Sequence, residues 1–96
     1  MNKKSNLAHK KLKIINMRGM HARVAVKIAD TLKGYSSQVF FSHNQQDYVH
    51  ADSVMGVIMM GAKKGDDIGV YAQGDDAHDV LKALEHLFAS RFGEVE

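Results

Sequence analysis

The 96-residue chain contains no cysteine, no proline and no tryptophan. Without cysteine there is no disulfide, no thiolate nucleophile and no cysteine-bound metal. Without proline, chain reversals fall to glycine, and Gly34, Gly61, Gly65 and Gly74 stand between periodic segments where turns belong. No apolar run approaches the ~20 residues of a membrane span. The opening MNKKSNLAHKKLK is basic and lacks the apolar segment of a signal peptide, so a cytoplasmic protein is expected. Aromatic residues are 7% of the chain. The first strand has none, and Tyr48 alone is a thin platform, so an RNA-binding sheet and nucleic-acid partners are not expected.

Hydrophobic residues make up 45% and charged residues 25%, the balance of one globular domain. The formal net charge is +2 and unevenly placed: Lys3, Lys4, Lys10, Lys11, Lys13 and Arg18 all precede Gly19 with no acid among them. We read this as a flexible basic tail, residues 1–9, followed by the exposed face of a first strand in a single domain, residues 10–96. A DNA-binding domain would carry its basic stripe on a helix.

Period-two alternation marks strands at KKLKII (residues 10–15), SQVFFS (37–42), YVHA (48–51) and DIGVYA (67–72). The second and third form a hairpin around HNQQD. From Ala22, apolar residues at Ala22, Ala25, Val26, Ala29 and Leu32 mark a first helix, with Gly34 as its C-cap. DSVMGVIMMG (52–61) reads as a short helix capped by Asp52 or Ser53. GDD opens a last helix with Ala77, Val80, Leu81, Leu84, Leu87 and Phe88 on its apolar face. The order β-α-β-β-α-β-α with half-polar strands implies a two-layer α+β sandwich, largely antiparallel, with one sheet face open to water.

The chemistry concentrates in MRGMHARVAVKIAD (17–30). His21 stands at the N-cap of the first helix, whose leading N–H groups have no internal partner and bind anions. A positive helix end disfavours imidazolium, which leaves a neutral ring with a nucleophilic nitrogen. Arg23 supplies a forked, permanently charged group that matches phosphate oxygens. Gly19 allows the preceding loop to turn tightly. The set fits a phosphohistidine held by Arg23 and by the backbone N–H groups of Ala22, Arg23 and Val24. His-x-Arg alone equally fits a capping or surface histidine.

GMHARVA (19–25), together with DSVMGVIMMGAKKGDDIGV (52–70) at its separation, resembles the histidine-containing phosphocarrier (HPr and NPr) family of the bacterial phosphoenolpyruvate-dependent phosphotransferase system. The likeness covers about residues 10–92. It implies an open-faced sandwich whose four-stranded antiparallel sheet has the order 1-4-2-3, with three helices on one face. It implies a phosphocarrier rather than an enzyme, with no cofactor: His21 is phosphorylated on Nδ1 by phospho-enzyme I, Arg23 steadies the group, and an enzyme IIA-type domain receives it, in sugar uptake or in a nitrogen-branch regulatory chain. An alternative within the same fold is a docking module that binds kinases or transcription regulators according to its phosphorylation state. A monomer is expected. The family places proline after the arginine, where this chain has Val24, which restores one N–H near the phosphate site.

Ser53 aligns with the serine that a kinase/phosphorylase modifies in some members, and is otherwise a plain N-cap. Met20, Val24, Met55, Gly56 and Met59 are the candidate partner-docking residues, since flexible methionines suit an adaptable surface. His9, His43, His50, His78 and His86 are scattered and no metal site is expected.

Overall fold

The computed structural model describes residues 6–44 and 47–95. Its elements are β1 (Leu7–Lys13), α1 (Ala22–Leu32), β2 (Gln38–His43), β3 (Tyr48–His50), α2 (Val54–Met59), β4 (Asp67–Gln73), α3 (Ala77–Ala89) and a short 3-10 turn (Arg91–Gly93). All strand pairs are antiparallel, in the order β1-β4-β2-β3. The expected open-faced sandwich with sheet order 1-4-2-3 is therefore the fold observed.

One sheet face carries Ala8, Leu12, Val39, Phe41, Ile68, Val70 and Ala72, all buried with the apolar faces of the helices in one core. On α3 the buried set is Ala77, Val80, Leu81, Leu84 and Phe88, with Leu87 packed against its edge. On α1 the buried stripe differs from the expected one: it is Val24, Ala25, Ile28 and Leu32, while Val26 is 46% exposed. The helix offers two overlapping apolar stripes, and the sheet takes the one with the bulkier Val24 and Ile28 in place of Ala22 and Ala29. Burial at about 25 cal/mol per Å² favours the larger side chains. Gly34 is not in the left-handed region; Lys33 ends the helix instead, in a right-handed turn.

The first strand starts earlier than its alternation suggests. Leu7, Ala8 and His9 pair with Gln73, Ala72 and Tyr71, and the Asn6 carbonyl accepts from Gly74 N. Residues 6–9 thus belong to the folded domain rather than to a tail; the rest of the expected tail, residues 1–5, lies outside the described residues. The pattern was broken at Lys10, which falls on the helix-facing side between Ala8 and Leu12. On an edge strand a lysine there can reach past the core, and its Nζ meets Glu85 of α3 at 2.6 Å.

The open face is richer in rings than Tyr48 alone. His9, Tyr71, Phe40 and His50 form one register row across all four strands. His9 stacks on Tyr71 at 4.3 Å, Phe40 meets His50 at 4.8 Å, and Tyr48 meets Tyr71 edge-on at 5.1 Å. Cross-strand register, invisible in single strands read alone, gathers them.

Candidate functional site

The loop from Asn16 to Met20 aims the start of α1. Gly19 has φ +67°, and a Cβ there would lie 2.7 Å from Lys63 Cα and 2.8 Å from the Ala62 carbonyl, so only glycine fits. Met20 N donates to that same Ala62 carbonyl at 3.1 Å. Asn16 is fully buried and its amide donates to Gly19 O at 2.9 Å and to Glu94 Oε1 at 3.0 Å. The loop is thereby pinned on one side to the segment after α2 and on the other to the C-terminal segment.

His21 is the N-cap residue, with extended backbone (φ −112°, ψ −179°), and its ring makes no capping bond. Its carbonyl accepts the first helical bond, from Ala25 N. The N–H groups of Ala22, Arg23 and Val24 have no acceptor among the described residues, and they point out of the helix end with its partial positive charge. Arg23 is exposed and has no ion-pair partner among the described residues. The three elements the sequence proposed, ring, guanidinium and free N–H groups, are brought to one helix end.

The ring is not bare. His21 Nε2 lies 2.6 Å from Glu94 Oε2, with the His21 and Glu94 side chains only 20% and 12% exposed. Nδ1 has no hydrogen-bond partner among the described residues. Burial pushes the Glu94 carboxyl up, but hydrogen bonds from Asn16 and His21, the charge of Arg18, and that of the His21 ring whenever it is protonated, outweigh it. The net result is an acid held below the ordinary carboxylate range. Glu94 is therefore an anion at neutral pH, and Nε2 is the nitrogen that carries hydrogen.

Glu94 arrives through an unusual turn. Arg91 and Phe92 are both left-handed, at φ 58° and 54°, and Gly93 follows at 78°. Two consecutive non-glycine residues in that region are costly. They are held by Phe92, which is fully buried with its ring 4.8 Å from that of Phe88, and by Lys27 Nζ, which donates to the Phe92 carbonyl at 2.6 Å. A cleft of about 320 Å³ lies between this segment and α1, walled by Arg18, Arg23, Lys27, Gly93 and Glu94. Sequence reasoning missed Asn16, Lys27 and Glu94. Each acts across tens of positions, and no local pattern marks them.

Two proposed docking residues need correction. Met20 is 5% and Val24 0% exposed; their side chains fill the core, because the helix entry must be sealed by apolar groups, and neither can offer a side chain to a partner. Met55 and Met59 are 64% and 77% exposed, four residues apart on α2. Gly56 lies between them, half-buried, with its N–H donating to Ser53 Oγ at 3.0 Å. Ser53, rather than Asp52, is the N-cap of α2. Among the described residues no three His, Cys, Asp or Glu side chains are gathered as a metal site requires. His43 instead bridges the Met60 carbonyl and the Asp66 carboxylate, at 3.1 and 2.9 Å.

Comparison with known proteins agrees with this arrangement. Residues 8–90 match the family model described as the PTS HPr component phosphorylation site. Phosphocarrier protein HPr of Cupriavidus necator is 40% identical over 83 residues, 86% of this chain and 92% of that protein. Phosphocarrier protein NPr of Escherichia coli is 34% identical over 83 residues, again 86% and 92% of the two chains. The crystal structure of HPr from Thermoanaerobacter tengcongensis superimposes with a TM-score of 0.86 at 34% identity, covering 93% of this chain and 99% of that one. The chain belongs to the HPr family of phosphocarrier proteins of the bacterial phosphotransferase system.

Proposed function

We propose that this chain carries a phosphoryl group on Nδ1 of His21, taking it from phospho-enzyme I and passing it to an enzyme IIA-type domain in the cytoplasm. The observation that carries the reading is the coincidence, at one helix end, of an Nδ1, three N–H groups and an Arg23 that have no partner among the described residues. An Nδ1-bound phosphoryl group would add two or three charge-assisted hydrogen bonds, worth about 1.5–3 kcal/mol each. That is enough to orient the group while leaving the P–N bond open to attack by an acceptor. The carrier itself completes no turnover; it has one nucleophile and stores one phosphoryl group.

Met55 and Met59 give donor and acceptor an adaptable apolar surface on α2, the helix packed against α1. Ser53, exposed at the start of the same helix, is where a kinase would add charge to that surface and weaken docking by acidic partners. The same surface serves the second reading, a module whose binding to regulators is set by the state of His21.

Incubation with phosphoenolpyruvate and enzyme I is expected to give an acid-labile, base-stable adduct that is lost in His21→Ala. Failure of both sugar-branch and nitrogen-branch enzyme I to phosphorylate the wild-type protein would overturn the carrier reading. Binding of a regulator that differs between the phosphorylated and unphosphorylated forms would support the second.

A further inference from the structure

We infer that Glu94 is a positioning residue for His21: its carboxylate fixes the ring as the Nε2–H tautomer and balances the positive charge that the ring gains as Nδ1 takes up a phosphoryl group. The inference rests on the phosphohistidine reading above and adds to it a residue beyond the matched family segment, which ends at residue 90.

Three independent observations meet here. The first is the short contact itself, Nε2 to Oε2 at 2.6 Å, between side chains that are mostly shielded from water. A carboxylate is an acceptor only, so in the neutral ring the one proton is held at Nε2 and the lone pair is left on Nδ1. The second is that the carboxylate is itself held. Its other oxygen accepts from Asn16, whose amide has its second hydrogen on the Gly19 carbonyl. A fully buried amide that spends both hydrogens on this loop and on Glu94 leaves its own oxygen, Asn16 Oδ1, without a partner among the described residues. An orphaned buried acceptor is tolerated where the alternative orientation would lose something worth more. Here that is the anchor of Glu94. The third is the left-handed turn at Arg91 and Phe92, which is paid for by the burial of Phe92 and delivers the carboxylate to the ring.

The chemical consequence follows from charge balance. The Nδ1 lone pair attacks phosphorus and an N–P bond forms. The bond from phosphorus to the donor's nitrogen breaks, and its electron pair leaves on that nitrogen. The proton on Nε2 stays in place, so the ring ends as a phosphorylated imidazolium facing the Glu94 anion. A neutral ring in the other tautomer would present N–H, not a lone pair, to phosphorus and could not react. Glu94 thus acts on both the reactant, by selecting the reactive tautomer, and the product, by offsetting its charge.

The test uses the full chain and a small donor, potassium phosphoramidate, so that it does not depend on any partner protein. Nitrogen-15 spectra of the His21 ring in the unphosphorylated wild type are expected to show Nε2–H with an unprotonated Nδ1, and Glu94→Ala is expected to show mixed tautomers. Phosphoryl uptake by His21 from phosphoramidate is expected to fall about ten- to a hundredfold in Glu94→Ala, the range of one lost charge-assisted hydrogen bond. Glu94→Gln has the same shape without the charge, and its uptake should fall as well. Wild-type tautomer populations in Glu94→Ala overturn the inference. So does uptake within twofold of wild type in either variant. The same ring spectra report whether each variant is folded. A wild-type protein that shows the Nε2–H tautomer but takes up no phosphoryl group would count against the carrier reading, not against the contact that sets the tautomer.

Discussion

Replacing Phe92 by alanine separates two responses of the C-terminal segment. Phe92 is fully buried against Phe88. A phenylalanine side chain buries ~150–250 Å², which at ~25 cal/mol per Å² sets a ceiling of about 4–6 kcal/mol. Measured core Phe→Ala losses run at about 3–5 kcal/mol. Opposing this burial are two left-handed backbone positions, Arg91 and Phe92, each costing roughly 1–3 kcal/mol. If the segment stays docked around a cavity, the strain remains and the full loss is expressed. If it detaches, the strain is relieved, chain entropy is recovered, and the loss is capped at the net docking energy, about 1–3 kcal/mol. Detachment is the cheaper course. Phe92→Ala is therefore expected to lose about 1–3 kcal/mol in urea unfolding, and its His21 ring spectrum should match that of Glu94→Ala, because Glu94 leaves with the segment. A loss above about 4 kcal/mol with the His21–Glu94 contact intact would contradict this account of the strain, and a loss below about 0.5 kcal/mol would contradict the packing.

Gly19→Ala should cost at least about 2 kcal/mol in the same unfolding assay, since the new Cβ meets two backbone atoms and the left-handed φ is penalised as well. Asp76 is held below the ordinary carboxylate range by the Ser37 hydroxyl and the backbone N–H groups of Ser36 and Ser37, against the opposing effect of burial. Its ionised form therefore adds stability above its unfolded value of 3.8, and this is lost as pH falls through the lower folded value. Asp76→Asn should be less stable than wild type at pH 7, with the gap closing below about pH 4 in unfolding curves taken across that range. Met59→Lys alters a side chain that is 77% exposed, so stability should stay within about 0.5 kcal/mol, while the KM of enzyme I for the protein rises several-fold; an unchanged KM would remove Met59 from the docking surface. Val24→Pro deletes an N–H that has no acceptor among the described residues, and the carbonyl four residues back, that of Met20, lies outside the helix and cannot clash. Its stability should change by less than about 1 kcal/mol, lost packing offset by a stiffer unfolded chain, and uptake from phosphoramidate should stay within about threefold, because the N–H groups of Ala22 and Arg23 and the Arg23 guanidinium still supply the two or three bonds the phosphoryl group makes. A large gain in uptake would show that valine is a handicap there.

The fold was legible where burial and periodicity coincide. In α3, every apolar position of the 3.6-residue stripe is buried or packed on the core, so the helix and its face are both readable. In α1 the limits Ala22–Leu32 are readable but the face is not, because alanines on one stripe and Val24 with Ile28 on the other give similar periodicity, and only the sheet chooses between them. Edge strand β1 hid its first residues behind Ala8, whose methyl gives little signal, and Lys10, whose inward position is stabilised by Glu85 on another element. The sheet order came from family resemblance; alternation within strands says which faces are apolar and nothing about which strands are neighbours.

The candidate site divides along the same line. His21, Arg23 and the free N–H groups are neighbours in sequence, and a helix start places neighbours together by geometry alone. Glu94 is 73 residues from His21 and 78 from Asn16, the amide that holds it, and it meets both only through tertiary structure. The path to Glu94 runs through left-handed backbone at Arg91 and Phe92, residue types that give no warning of such a turn. A glutamate near the end of FASRFGEVE looks like any solvated acid. What distinguishes it is Phe92, an aromatic two residues earlier that lies past the last helical residue of α3 yet is as buried as the centre of that helix. An apolar ring beyond the end of a periodic stripe must be buried by a change of chain direction, and whatever follows it is carried to wherever that turn points. Here the turn points to the ring of His21, so the residue that sets its tautomer depends on packing in the core rather than on any motif.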